Sequence, residues 1–355
     1  MIAIQKKQKQ WWQTNAFWFL ATLYSVVAFS GVIAPYHPNT AYTKLAYLPP
    51  SPIYWVNPET GWLTTPYVLE REKTFNPKTY EFQVYPKLGK TYPLQFFVNQ
   101  GESYELFGLI KTNFHLFGVA EPAHLNLLGT DESGRDVFSR LLWGGQVSLT
   151  IGFVSLLIAF PLGLLVGGIA GYKGGWLDTV LMRSTEILMS IPHLFILVSL
   201  ASIMPPALTS VQRFLLVSAF MALLGWTGLA RIIRNLILSI KQQEFIEAAT
   251  AMGASTSRIL WRHLLPQTTS FLIVAATLGI PGYILAESGL SFLGLGIQQP
   301  DASWGNLLKE AQELSNLIER PWLMTPGLLI FGVVLAYNHL GESLRNRLDP
   351  AMRKQ

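Results

Sequence analysis

Six apolar stretches constrain this chain more than any other feature. Each is close to the twenty or so residues that an α-helix needs to cross a bilayer. They cover residues 16–34, 147–172, 185–204, 214–233, 268–290 and 324–340. The third is the least clean, because Glu186, Pro192 and His193 interrupt it. Composition agrees: half of the 355 residues are hydrophobic and only 13% are charged, against about 25% in a typical soluble chain. The expectation is an all-α polytopic membrane protein with six transmembrane helices and a small β-rich insert between the first two.

Basic residues set the expected orientation. Lys6, Lys7 and Lys9 precede the first span, and Arg231, Arg234, Lys241, Arg258 and Arg262 cluster around the loop after the fourth. Arg345, Arg347, Arg353 and Lys354 follow the sixth. With six spans all three groups fall on one side, so the positive-inside rule makes both termini cytoplasmic. Ala28-Phe29-Ser30 resembles a signal-peptide cleavage site, but the apolar run continues past it, so the first span is expected to stay. The net charge of +5 comes from these short clusters and not from one basic face, which argues against nucleic-acid binding. The chain has no cysteine, hence no disulfide and no thiolate site.

The organisation expected is 1–34 for the N-terminus and first span, 35–126 for an extracytoplasmic insert, 127–345 for the main transmembrane domain, and 346–355 for a cytoplasmic tail. The insert holds 11 of the 21 prolines, with seven acidic and seven basic residues. Residues 79–85 alternate apolar and polar as a half-buried strand does, residues 94–98 read as another, and residues 57–61 as a turn. The prolines predict limited strand pairing. The insert serves either as a packing cap over the outer mouth or as a docking surface for a substrate-binding protein.

The loop between the fourth and fifth spans is the most informative segment. Residues 243–252 suit a short helix, with Glu244 and Glu247 in its first turns, where the helix dipole favours negative charge. Phe245, Ala249 and Met252 fall at i, i+4 and i+7, one face. Gly253 supplies a helix end, Ser255 or Thr256 a cap for the next helix, and Pro266 the entry to the fifth span.

Glu247-Ala248-Ala249, then Gly253, then Pro266 thirteen positions on, resembles the loop by which ABC importer permeases contact their ATPase subunits. Residues 128–142, beginning Leu-Gly-Thr-Asp-Glu-Ser-Gly-Arg-Asp, and the run Glu287-Ser288-Gly289-Leu290-Ser291-Phe292 are similar to the C-type permease subunit of oligopeptide and dipeptide importers. Gly174-Gly175-Trp176-Leu177-Asp178, Met182-Arg183 and Asp349-Pro350 fit the same family. The resemblance covers about residues 127–352. The insert is longer than in the usual members and similar in length to that of the microcin-transporter type.

The resemblance implies a type I ABC importer permease fold in the bacterial inner membrane. It implies a homologous second permease subunit, two ATPase subunits that use ATP and Mg, and a periplasmic or lipid-anchored binding protein. This chain would bind no cofactor, do no catalysis and form half of a path for peptides or peptide-like solutes. No phosphate-binding Gly-x-x-x-x-Gly-Lys-[Ser/Thr] run and no Gly-x-Ser-x-Gly elbow occurs, so ATP hydrolysis needs another chain.

Other candidates are weaker. Gly163, Gly167 and Gly171, four apart, suit close helix approach to a neighbouring span or to the partner permease. Arg183, Glu186 and Glu287 are ionisable groups in or near spans and are candidate pathway residues, although Arg183 and Glu186 stand three apart and could pair. His193 reads as a packed polar residue. Asp131 and Asp136 read as capping groups before an interfacial helix that includes Trp143, not as a metal site. The competing classes are an ion-coupled secondary transporter, which needs more intramembrane carboxylates than this chain offers, and a membrane-embedded enzyme, for which no catalytic pair stands out.

Overall fold

Without water to satisfy backbone N–H and C=O groups, the long apolar runs have to close their hydrogen bonds internally, and they do so as helices. A computed structural model describes residues 14–56, 61–77, 81–205 and 207–348. The first apolar run forms α1 (Asn15–Ala28) and a further turn, α2 (Ser30–Ile33). Five strands follow: β1 (Tyr54–Val56), β2 (Leu63–Asn76), β3 (Glu81–Pro93), β4 (Gln95–Leu106) and β5 (Ile110–Gly118). Then come α3 (Val137–Lys173), α4 (Gly175–Ser190), α5 (His193–Ser202) and α6 (Ser210–Ile240). The chain ends with α7 (Glu244–Ala251), α8 (Thr256–Arg258), α9 (Thr269–Phe292), α10 (Trp304–Leu308), α11 (Leu314–Glu319) and α12 (Thr325–Leu348).

The spans are fewer than expected. Among the described residues four helical runs are long and apolar enough to cross a membrane: Val137–Lys173, Ser210–Ile240, Thr256–Phe292 and Pro321–Leu348. The third expected span is two helices, α4 and α5, bent by 79°. Counted as one it makes a fifth. Pro192 explains the bend: the residue before a proline is pushed out of the helical region, and Ile191 sits at ψ 129°. The first expected span is a shorter apolar helix, α1 with 14 residues, interrupted at Phe29 before α2. Six membrane helices are thus not reached among the described residues. The separate interfacial helix expected around Trp143 is instead the first turns of α3, whose 37 residues are one continuous element.

The contact pattern divides the chain into two compact units whose borders fall inside helices. One comprises residues 1–21, 149–290 and 330–355. A buried cluster within it gathers Leu229, Ile233 and Ile237 of α6 with Ile246 of α7 and Ile259, Leu260, Leu264 and Leu265.

The other unit comprises residues 22–148 and 291–329 and holds the strands. β1, β2 and β3 form one antiparallel sheet, β4 and β5 a separate hairpin. Pairing is longer than the prolines predicted. β2 and β3 stay in register from Asn76↔Glu81 to Arg71↔Pro86, slip once, and resume at Leu69↔Thr91. Pro86 stands at that slip, where a missing N–H is tolerated. The expected strand at 94–98 is the start of β4. Residues 57–60 of the expected turn, Lys78 to Tyr80, the N-terminal lysines and Asp349-Pro350 lie outside the described residues. A small core of Val68, Val119, Ala123 and Leu125 closes this unit.

Candidate functional site

The loop between α6 and α9 is built from its ends inward. The N–H of Lys241 still bonds to the Ile237 carbonyl at 2.9 Å, so α6 ends there, and the chain turns through Gln243 into α7. α7 has no side-chain cap, and Glu244 and Glu247 occupy its first turn beside the free N–H groups. Its other end is a Schellman motif. Gly253 has φ +79°, its N–H reaches the Thr250 carbonyl at 2.9 Å, and the N–H of Ala254 reaches Ala249 at 3.1 Å. Ser255 then caps α8 through the N–H of Arg258. No atom lies within 4 Å of where a Cβ on Gly253 would stand, so its requirement is conformational and not steric.

α7 is seated by Ile246 and Ala249, both buried. Burying an isoleucine stabilises by about 1.5–3 kcal/mol, which makes Ile246 the main anchor of the short helix. Phe245, Ala249 and Met252 lie on one side of α7 by spacing, but only Ala249 of the three is buried. Phe245 is 40% and Met252 82% exposed, and with Ala248 they form the outward face beside Glu247. The spacing does not say which edge of that face is covered, and the buried neighbour Ile246 marks it.

Downstream, helical hydrogen bonding runs on into α9 through a local widening. Pro266 has no N–H to donate and its ring obstructs the carbonyl four residues back, so residues Ile259–Leu264 open into wide turns, with the N–H of Leu265 on the carbonyl of Leu260.

Two contacts tie α6 to the neighbouring helices of this unit. Arg234 grips Asp178 of α4 with two nitrogens, Nε donating to Oδ1 at 3.0 Å and Nη2 to Oδ2. Lys241 Nζ donates to the carbonyls of Gly171 and Tyr172, both at 3.3 Å, and so satisfies the end of α3. The three spaced glycines of α3 line up against α6. A Cβ on Gly163 would stand 2.8 Å from the side chain of Leu229, on Gly167 2.3 Å from the carbonyl oxygen of Ala230, and on Gly171 2.7 Å from that of Arg234.

The candidate pathway residues are not brought together. Arg183 and Glu186 form an exposed ion pair at 2.7 Å on α4. Glu287 is fully buried in α9 with the Ser288 hydroxyl at 3.4 Å from its carboxylate. None of the three lines the cavity of about 380 Å³ in this unit, which is walled by apolar residues such as Phe160, Met221 and Phe271, with His193 and Tyr283 as its polar groups. Gly279 and Gly282 border it, and nothing stands within 4 Å of a Cβ on either. The sequence signal for this cavity was the pair Gly279 and Gly282, on either side of Ile280-Pro281 and followed by Tyr283, which the ionisable residues overshadowed.

In the other unit Asp131 and Asp136 act on protein groups. Asp131 pairs with Arg135 Nε at 2.6 Å and lies 3.4 Å from Arg140 Nε. Asp136 accepts from the N–H and hydroxyl of Ser139, both at 2.7 Å, at the start of α3. Burial pushes its carboxyl up to about 6. Among the described residues no group of three or more His, Asp or Glu is arranged to hold a metal ion.

Residues 138–354 match the family described as binding-protein-dependent transport system inner membrane component. A dipeptide transport system permease protein of Bacillus subtilis is 42% identical over 235 residues, covering 66% of this chain and 71% of that protein. An oligopeptide transport system permease protein of Haemophilus influenzae is 38% identical over 229 residues, covering 64% and 71%. The MetNI methionine ABC transporter, solved in an inward-facing conformation, is 22% identical with a TM-score of 0.44, covering 57% of this chain and 95% of that one.

Proposed function

The chain belongs to the binding-protein-dependent transport system inner membrane component family, and from that premise we propose that it is the C-type permease subunit of an ATP-driven importer for peptides or peptide-like solutes. The named relatives support the peptide class. The family does not favour the ion-coupled alternative. The chain is a multi-pass membrane protein, and we place the α6–α9 loop and both termini on the cytoplasmic side. Its partners are a homologous permease, two ATPase subunits that bind ATP and Mg, and a substrate-binding protein. Hydrolysis belongs to the ATPases.

One observation carries the docking role: α7 is pinned from beneath by Ile246 and Ala249, yet leaves Phe245, Ala248 and Met252 uncovered next to Glu247. A short helix with a buried seat and an apolar outward face transmits a push without absorbing it, and Ala248 lets a partner approach closely. Gly163, Gly167 and Gly171 then hold α3 against α6, so that a movement of the loop moves both helices. The tagged chain, purified from native membranes in mild detergent, is expected to bring down a homologous permease and ATPase subunits. Replacing Glu247 by Ala together with Gly253 by Val is expected to release the ATPases and leave the permease partner. Full ATPase recovery with that double variant would remove the loop from the interface.

We assign the cavity beside His193 and Tyr283 as this chain's share of the path, in preference to Arg183, Glu186 and Glu287. Gly279→Leu projects into open space within this chain, so it is expected to reduce peptide uptake at normal subunit levels. Unchanged uptake would return the search to the ionisable residues.

A further inference from the structure

The β4–β5 hairpin is fastened to the end of the first apolar helix by three contacts in a fixed order. His115 Nδ1 lies 2.6 Å from the carbonyl oxygen of Ala34. The ring of Tyr104 occupies the space where a Cβ on Gly31 would stand, 2.3 Å from its nearest atom. Phe107, at the tip, meets Phe29 edge-on with ring centroids 5.5 Å apart. As the hairpin runs toward its tip, its partners step back along the chain from Ala34 to Phe29. Ser30–Ile33 of that stretch form α2, with Ile33 and Ala34 bonded to the carbonyls of Phe29 and Ser30, and the steps from Phe29 to Ala34 correspond to about 7 Å of rise. The tip therefore lies deeper along the helix than the helix's own exit.

The tip is apolar and uncovered. Phe107 and Ile110 are exposed and Leu109 is 86% exposed, while Phe29 beside them is about half exposed. Lys111 follows at once, paired across the hairpin with Glu105. The turn is closed by the N–H of Leu109 on the carbonyl of Leu106 at 3.1 Å. Both central residues have positive φ, Phe107 at +54° and Gly108 at +69°. Asn-Gly is the favoured pair for such a turn, and a phenylalanine in the left-handed region costs about 1–2 kcal/mol. The molecule keeps a large apolar ring at a position that disfavours it, and displays it outward.

We propose that this tip is a lipid wedge: Phe107, Leu109 and Ile110 enter the outer leaflet alongside the first span, and the Lys111 ammonium reaches back to the phosphate level. The surface is continuous with the lipid-facing side of that span through Phe29, which fixes the occupant as acyl chain. Apolar burial at the headgroup boundary and a basic residue one step behind it are the two terms that hold interfacial segments. The inference rests on residues 16–34 being a membrane span.

The natural absence of cysteine makes the test direct, because Leu109→Cys gives this chain a single thiol. The variant is labelled with an environment-sensitive fluorophore before assembly with its partner subunits, then reconstituted in phosphatidylcholine vesicles. Nitroxide-bearing phosphatidylcholine is expected to quench the label several-fold more than aqueous iodide does. A label at Leu63, 83% exposed on β2, should show the reverse. Iodide quenching at Leu109 equal to that at Leu63 overturns the proposal, and shielding from both quenchers overturns it in favour of a protein partner. A third label at Trp18 of α1 separates the premises. If Trp18 reports lipid and Leu109 reports water, the wedge fails and the span stands. If both report water, the span reading itself is wrong.

Discussion

At the end of α7 a glycine with φ +79° closes the turn beneath exposed Phe245 and Met252; at the end of β4 a glycine with φ +69° closes the turn that carries exposed Phe107 and Leu109. Neither Gly253 nor Gly108 has an atom within 4 Å of a would-be Cβ, so both are there for conformation alone. The difference lies in the neighbour. Met252, before Gly253, has an ordinary right-handed backbone at φ −75°, whereas Phe107, before Gly108, is itself left-handed. The helical knob is unstrained and seated on a buried isoleucine. The hairpin tip carries a backbone cost at Phe107, set against one ring contact, with Phe29. An unstrained apolar knob suits repeated force from a moving protein partner. A strained one fits a contact made outside the chain, as the lipid proposal has it.

The sharpest way to break this comparison is to make the same change at both turns. A valine at either glycine meets the left-handed penalty of about 1–2 kcal/mol, worth roughly tenfold in a coupled rate. Gly253→Val is expected to reduce ATP-dependent uptake at least tenfold while membrane levels of the chain hold. Gly108→Val is expected to leave uptake within a few-fold of wild type, because the hairpin contacts that fasten it to Ala34 and Gly31 lie away from the turn. Uptake assays with quantified subunit levels decide it. Equal losses at both positions would make the two turns functionally alike and end the distinction.

The helical knob was legible in the sequence and the hairpin tip was not, for a physical reason. Every hydrogen bond that ends α7 closes within six residues, so Glu247-Ala248-Ala249 and Gly253 carry their own geometry. A spacing of four and seven grouped Phe245, Ala249 and Met252 but does not say which side meets the core; Ile246, not included in that pattern, does. The spans were legible as apolar runs, but the 79° bend at Pro192 and the break at Phe29 depend on local backbone choices that hydropathy averages away. The insert was legible as β-rich. How its hairpin is fastened was not, because the order Ala34, Gly31, Phe29 against His115, Tyr104, Phe107 joins residues more than seventy positions apart. The cavity beside Tyr283 stayed hidden for the same reason: its walls come from four separate stretches of chain.

Titration offers a smaller contrast, since the buried carboxyls with raised values lie in the strand-bearing unit. Burial, reinforced by the nearby charge of Asp131, pushes Glu310 up to about 7, and burial holds Asp136 at about 6. Both keep a proton in the folded protein at a pH where the unfolded chain has released it. The stabilisation they give is complete below their ordinary values near 4 and is lost as pH rises through 6 and 7. The thermal midpoint of the purified chain in detergent is expected to fall between pH 5 and 8, relative to a Glu310→Gln variant whose amide oxygen can still accept the N–H of Glu132. Parallel curves for the two proteins would show that Glu310 titrates near its ordinary value.

The smallest expected effect is also the most diagnostic of the hairpin. Phe107→Asn places the favoured residue in the left-handed position before glycine, so it should relieve up to about 1–2 kcal/mol of local strain. In detergent-free solution terms the hairpin gains, and amide exchange at Leu106 and Leu109 should slow. The same change removes a ring that meets Phe29 edge-on and, on the lipid reading, removes apolar area from the outer leaflet at roughly 25 cal/mol per Å². The two effects have opposite signs and different settings. In lipid vesicles a label at Leu109 should therefore show weaker quenching by nitroxide lipid in Phe107→Asn than in the parent, even though the turn itself is more stable. A variant that stabilises the hairpin and leaves lipid quenching untouched would mean that the phenylalanine is kept for its contact with Phe29 alone. A variant that weakens the hairpin would mean that the ring contact outweighs the backbone cost, and the strain argument for an outward role would fall with it.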